Sequence, residues 1–190
     1  MSVTINKKLN IVFPLREKKL WVHSMPISRM VFESYFIPIS RTFEIIYGNG
    51  LNVASGPRIA ALMLKKVSID SGVWDGVDGI QNGLMNEIRR LTNVVSPVPS
   101  GGWDNTPLHS AIQSGFLDED EIAEVDNILV FFTCVSVMHR KEKVPLHLSG
   151  MMLYDVQATL LNVTEWQTSL PTSTVGESIG EKTGELLVAS

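Results

Sequence analysis

The longest run of acidic side chains, Asp118-Glu-Asp-Glu121, is the first place to look for a cation site. Ligands for a hard divalent cation must converge, whereas consecutive helical residues point about 100° apart, so the run suits a helix start facing the macrodipole. Asp70, Asp75 and Asp78 lie among glycines but lack the alternating acids and closing glutamate of a calcium loop, and they read as a turn. His23, His109, His139 and His147 occur singly, with no helical histidine pair of the zinc-hydrolase kind. The one cysteine, Cys134, sits among Phe131, Phe132, Val135 and Val137, the setting of a buried, inert thiol, and it can close neither an intramolecular disulfide nor a cysteine cage for zinc. A nucleophile elbow, a phosphate-binding loop and a dinucleotide-binding glycine pattern are all missing. The expectation is a protein that is not an enzyme and uses neither metal nor cofactor.

Composition narrows the partners. The chain has 190 residues with 16 basic and 20 acidic side chains, and the resulting net charge of −4 argues against nucleic-acid binding through bulk positive charge. Hydrophobic residues at 44% against charged ones at 19% suffice for a real core and for one compact domain. No run reaches the roughly 18 apolar residues of a membrane span, and the start has no apolar stretch with a small-residue cleavage site, so a soluble protein of the cytosol is expected. Asn162-Val-Thr164 fits a glycosylation acceptor, a pattern without meaning where no export is expected.

The elements that would position these residues read as follows. Leu9 to Phe13 and Leu20 to His23, separated by a charged Pro14–Lys19 stretch, form a hairpin or two extended arms. Pro26-Ile-Ser-Arg29 and Pro38-Ile-Ser-Arg41 each precede an aromatic run, predicting two short helices with a restart at Pro38, or one helix kinked there. Ser55-Gly-Pro57 opens a helix through Lys66, and Leu84, Ile88 and Leu91 space out another. Residues 96 to 107, with three prolines and two glycines, read as the longest loop, followed by a short helix from Leu108 to Ser114. From Asp118 a long central helix runs to Met138, opened by acids and closed by His139-Arg-Lys141. Its segment Ile128 to Phe132 is apolar on all sides and must be surrounded. Residues 146 to 161 fit strand or helix, and Thr164 to Ser169 continues that segment. The fold class expected is mainly α (α+β): a compact helical domain over residues 1–170 with a short N-terminal β hairpin, then a flexible Ser/Thr/Gly/Glu-rich tail over 171–190.

With catalysis set aside, partner binding remains. Trp21, Phe32, Tyr35, Phe36, Trp74 and Trp103 are spread over short elements that one small core need not cover, and they are the candidate contact residues, against ordinary core packing for each alone.

Three stretches carry a family likeness: Gly83-Leu-Met-Asn-Glu-Ile-Arg-Arg-Leu-Thr-Asn93, Leu117 through Cys134, and Thr164-Glu-Trp-Gln-Thr-Ser-Leu-Pro-Thr-Ser-Thr174. In their order and texture, over roughly residues 10 to 175, the chain resembles tail assembly chaperones of tailed bacteriophages. The resemblance implies a small helical protein of the host cytoplasm that binds the tape measure protein before the tail tube protein polymerises around it, with self-association left open. An apolar groove on such a protein would cover the stripes of a long helical partner, and an acidic tail would add solubility. Two other readings compete. A structural tail component, such as a tube or terminator subunit, would be richer in strands and present in the virion. A small hydrolase with an unrecognised Ser or His arrangement would lose activity on replacement of one of the four histidines.

Overall fold

The computed structural model describes residues 2–16, 20–48, 55–149 and 155–170. Six strands form one mixed sheet in the order β5-β4-β3-β2-β1-β6. They are β1 (Ser2–Asn6), β2 (Ile11–Leu15), β3 (Leu20–Ser24), β4 (Thr92–Pro97), β5 (Trp103–Pro107) and β6 (Asp155–Thr159). All neighbours are antiparallel except β1 and β6, which run parallel with Val3 opposite Val156. A mainly helical domain with a short N-terminal hairpin is therefore not what this chain makes. It is an α+β fold with a sheet at its centre.

The strands follow from alternation. Ser-Val-Thr-Ile-Asn in β1 buries only Val3 and Ile5, and β2 sends Ile11, Phe13 and Leu15 to the same face. Asn6 closes the β1–β2 turn, its Oδ1 accepting from the Lys8 and Asn10 amides at 2.9 and 3.0 Å. The stretch 96–107 is mostly hairpin rather than loop. Pro97 and Pro107 fall at strand ends, and β5 is an edge strand, so neither proline breaks a ladder that needs its missing amide. Gly101 and Gly102, at φ of 88° and 98°, make the turn.

Helices cover the face that carries Phe13 and Val22. They are α1 (Arg29–Ser34), α2 (Phe36–Gly48), α3 (Ala60–Asp70), α4 (Asn86–Arg90), α5 (Leu108–Gln113), α6 (Glu119–Met138) and α7 (Val144–Ser149). The α1–α2 break falls at Tyr35 and not at Pro38, which sits in the first turn of α2 where no intrahelical amide is required. A single 3-10 turn, Gly56–Ile59, precedes α3, and Ser55 makes no side-chain cap. A π turn, Gln81–Met85, replaces the first turn of the helix expected around Leu84. The undecided segment 146–161 holds the end of α7 and all of β6, with 150–154 outside the described residues. The tail expected over 171–190 also lies outside them.

The long helix is where the periodicity placed it. Asp118 Oδ1 accepts from the Glu121 amide at 2.8 Å while Glu121 Oε2 accepts from the Asp118 amide at 3.0 Å, a reciprocal cap worth about 1 kcal/mol. Glu121 also pairs with Arg16 at the end of β2, which fixes the helix start to the sheet. From Ile128 to Ser136 every residue is buried, and α6 packs against α2, α3 and α7. Its closure differs from the expectation: His139 ends it in extended conformation, and Arg140 and Lys141 lie beyond its last turn.

The eighth helix, α8 (Val163–Ser169), lies on the opposite face of the sheet. There Trp166 packs with Val12, Trp21, Val95, Trp103 and Leu170 in a second, small cluster. No helix among the described residues is long and apolar enough to cross a membrane.

Candidate functional site

The six candidate aromatics do not form one surface. The structure places them at three locations.

Trp21 and Trp103 belong to the sheet face under α8. Strand alternation sends Val12, Trp21, His23 and Val95 to that side, because their neighbours Phe13, Val22 and Val94 enter the main core. Asn162 caps α8 through a reciprocal pair with Glu165, at 2.9 and 2.8 Å, and this places Trp166 edge-on to Trp21 with ring centroids 5.5 Å apart. Gln167 Nε2 donates to the Trp103 carbonyl at 3.4 Å. Beneath the helix His23 is buried, and neither ring nitrogen has a hydrogen-bond partner among the described residues; the Trp103 indole nitrogen is also buried without one. Burial alone pushes the His23 pKa down to about 4, so the ring is neutral near pH 7.

Phe32, Tyr35 and Phe36 form the elbow between α1 and α2. Ser28 caps α1 by accepting from the Val31 amide at 3.3 Å, and the Phe32 and Phe36 rings meet edge-on at 5.6 Å. The Tyr35 hydroxyl lies where any side chain at Gly83 would have to sit, tying the elbow to the π turn. Phe36 is 46% exposed, and Met30 and Ile37 beside it on the two helices are 74% and 57% exposed. The elbow thus presents apolar side chains to solvent where a helix pair would ordinarily place polar ones.

Trp74 stands at a third location, a cleft of about 390 Å³ between α3, the π turn and α6. Lys65 Nζ lies 5.6 Å from its ring centroid. Arg89 holds Asp126 through Nε at 3.1 Å and through Nη2, and Asn127 Oδ1 accepts from the Ala61 amide at 2.9 Å. These polar groups satisfy one another and link α6 to α3 and α4 beside the apolar core that the three helices share.

The titratable residues occupy structural settings. Cys134 is buried, with its thiol pKa pushed up to about 12 by desolvation. His139 and His147 stack at 3.5 Å with nearly parallel rings, so their in-plane lone pairs cannot converge on one metal ion. His139 is pushed down by burial and by its neighbour. Among the described residues no group of three or more His, Cys, Asp or Glu side chains could hold a metal ion. No family model, curated protein or solved structure matches the chain.

Sequence reading missed Trp166, Met30, Ile37 and His23 as members of these surfaces. For Trp166 a signal existed: Asn162-Val-Thr-Glu165 is a capping-box pattern that starts a new helix and aims the tryptophan one turn in. For His23 the strand alternation with Trp21 was available, but its burial depends on α8, far away in the chain.

Proposed function

We propose that this chain is a non-enzymatic binding protein of phage tail assembly, a chaperone that holds the tape measure protein and assists assembly of the tail tube. The observation that carries the binding part of this reading is the elbow, where Met30, Phe36 and Ile37 stand exposed on adjoining helices. The part of these apolar side chains left in solvent gains free energy only when another surface covers it. The tape measure as occupant, and the host cytoplasm as the place, come from the family resemblance. A long helical chain with apolar stripes needs such cover until the tube replaces it.

The test is co-expression with the tape measure protein of the same tail cluster. Wild-type protein keeps the tape measure soluble and co-purifies with it, whereas the pair Met30→Lys and Ile37→Glu, on side chains that are mostly exposed, loses the complex while remaining folded. Undiminished capture by that pair would remove the elbow from the reading, and no capture by wild type would remove the reading itself.

The alternative, a structural component of the tail, gains from one observation. Such a component was expected to be richer in strands, and the chain carries a six-stranded sheet that the sequence reading had not expected. Strand β5 lies at the edge of the sheet and pairs, among the described strands, with β4 alone, an edge through which tube-like subunits could pair.

A further inference from the structure

A cleft of about 590 Å³ opens between the turn after β1, the end of β6 and the 3-10 turn Lys141–Lys143 ahead of α7. Its volume falls within the roughly 300–1,000 Å³ of small-molecule sites. The lining is largely apolar: buried Ile5 and Leu9, with Pro145, Ala158 and Leu160, the last 79% exposed. The wall built from β1 and β6 is held in place. Ile5 stands opposite Ala158 and Asn6 opposite Thr159 in the parallel ladder, Asn6 Nδ2 donates to the Leu161 carbonyl at 3.3 Å, and the Leu161 amide donates to Thr159 Oγ1 at 3.2 Å. Asn6 Oδ1 already accepts from the Lys8 and Asn10 amides. The neutral polar side chains of the lining are therefore engaged within the chain.

The charged ones are not. Lys7 and Lys141 line the cleft, and Lys8, Arg140 and Lys143 adjoin them in sequence; none of the five forms an ion pair among the described residues. Glu142 is the one acid in the lining, so two lysines leave the cleft with positive charge in excess, on a chain whose net charge is −4.

We propose that this cleft binds a free fatty acid, with its hydrocarbon chain against Ile5, Leu9, Ala158 and Leu160 and its carboxylate at Lys7 and Lys141. A hydrocarbon chain gains free energy from cover alone and needs no hydrogen bonds from the wall. A peptide would bring backbone groups into a cleft whose neutral polar side chains are already engaged, and burying those groups unpaired is costly. A concave site suits a single chain better than the plane of a bilayer. The ammonium groups recognise the carboxylate through charge-assisted hydrogen bonds, which an alcohol of the same length does not receive. The cleft shares no residue with the elbow, so its ligand is independent of the capture of the tape measure.

The experiment titrates the full-length protein with decanoate, kept below its micelle concentration, and with decanol, by isothermal titration calorimetry at low salt. Decanoate is expected to saturate at one molecule per chain and to bind about tenfold more tightly than decanol, a margin that shrinks as salt is added. Lys7→Glu and Lys141→Glu, both on exposed residues, each weaken decanoate about fivefold and leave decanol unchanged. Ala158→Trp, an exposed strand position that accepts an aromatic side chain, fills the cleft and abolishes binding of both ligands. Ile37→Glu, at the elbow, changes neither. The lysine variants keep the test decisive should Ala158→Trp fail to fold. Absence of saturable decanoate binding would overturn the proposal, as would equal affinity for decanoate and decanol, or undiminished decanoate binding in both lysine variants. So would binding of phosphatidylglycerol vesicles, or of a peptide alternating Glu and Leu, by a protein that does not bind decanoate.

Discussion

Replacing His23 with leucine removes the titration of one buried ring while keeping most of its bulk, and the effect on stability depends on pH in a direction set by burial. The pKa of His23 is pushed down to about 4 from an ordinary 6.5, so between those values the unfolded chain binds a proton that the native protein excludes. Stability due to the neutral buried ring is therefore complete above about pH 6.5 and is lost as the pH falls towards 4. At 1.36 kcal/mol per pH unit the loss amounts to about 3 kcal/mol, a large share of the stability of a domain of this size. Glu87 and Glu121 also lose stability in acid, because hydrogen bonds from Arg90 and Arg16 lower their pKa values. Those losses occur in both proteins and subtract out. Urea unfolding followed by far-UV circular dichroism, from about pH 7.5 to about pH 3.5, should show wild type losing about 3 kcal/mol relative to His23→Leu. A difference between the two proteins that stays constant with pH would refute burial of His23 in the neutral form, and with it the α8 cover.

Phe131, fully buried in α6, should cost about 3–5 kcal/mol on replacement by alanine, measured by the same unfolding. Asp118→Ala removes the cap that the Glu121 amide uses and should cost about 1 kcal/mol, with amide exchange rising first in the opening turn of α6. A methyl group at Gly83 would lie 1.7 Å from the Tyr35 hydroxyl, so Gly83→Ala should destabilise by about 1–3 kcal/mol. The same change in a Tyr35→Ala background should cost much less, and a double-mutant cycle reads that coupling.

What could be read from the sequence was what is local. The α6 start is written in Asp118 and Glu121, three residues apart, and its burial in the unbroken apolar run from Ile128 to Phe132; both follow from residues adjacent in the chain. The sheet depends on partners far apart, such as Trp21 opposite Val95 and Val3 opposite Val156, and no local pattern announces such pairings. In β1 the alternation spans only five residues with two buried, too short to stand out, and in β4–β5 the prolines at strand ends gave the hairpin the composition of a loop. The candidate aromatics were visible as residue types. Their division into a covered sheet face, an open elbow and a cleft depends on tertiary placement. The same limit explains Tyr35, whose hydroxyl meets Gly83 of the π turn far along the chain.

As a chaperone, the role we propose, the protein would bind the tape measure transiently and then be released. Quantitative mass spectrometry of tape-measure complexes isolated from infected cells and of purified mature particles tests it most directly. This protein is expected alongside the tape measure in the first sample and absent from the second. A fixed number of copies per mature particle would contradict it and establish a structural subunit of the tail instead.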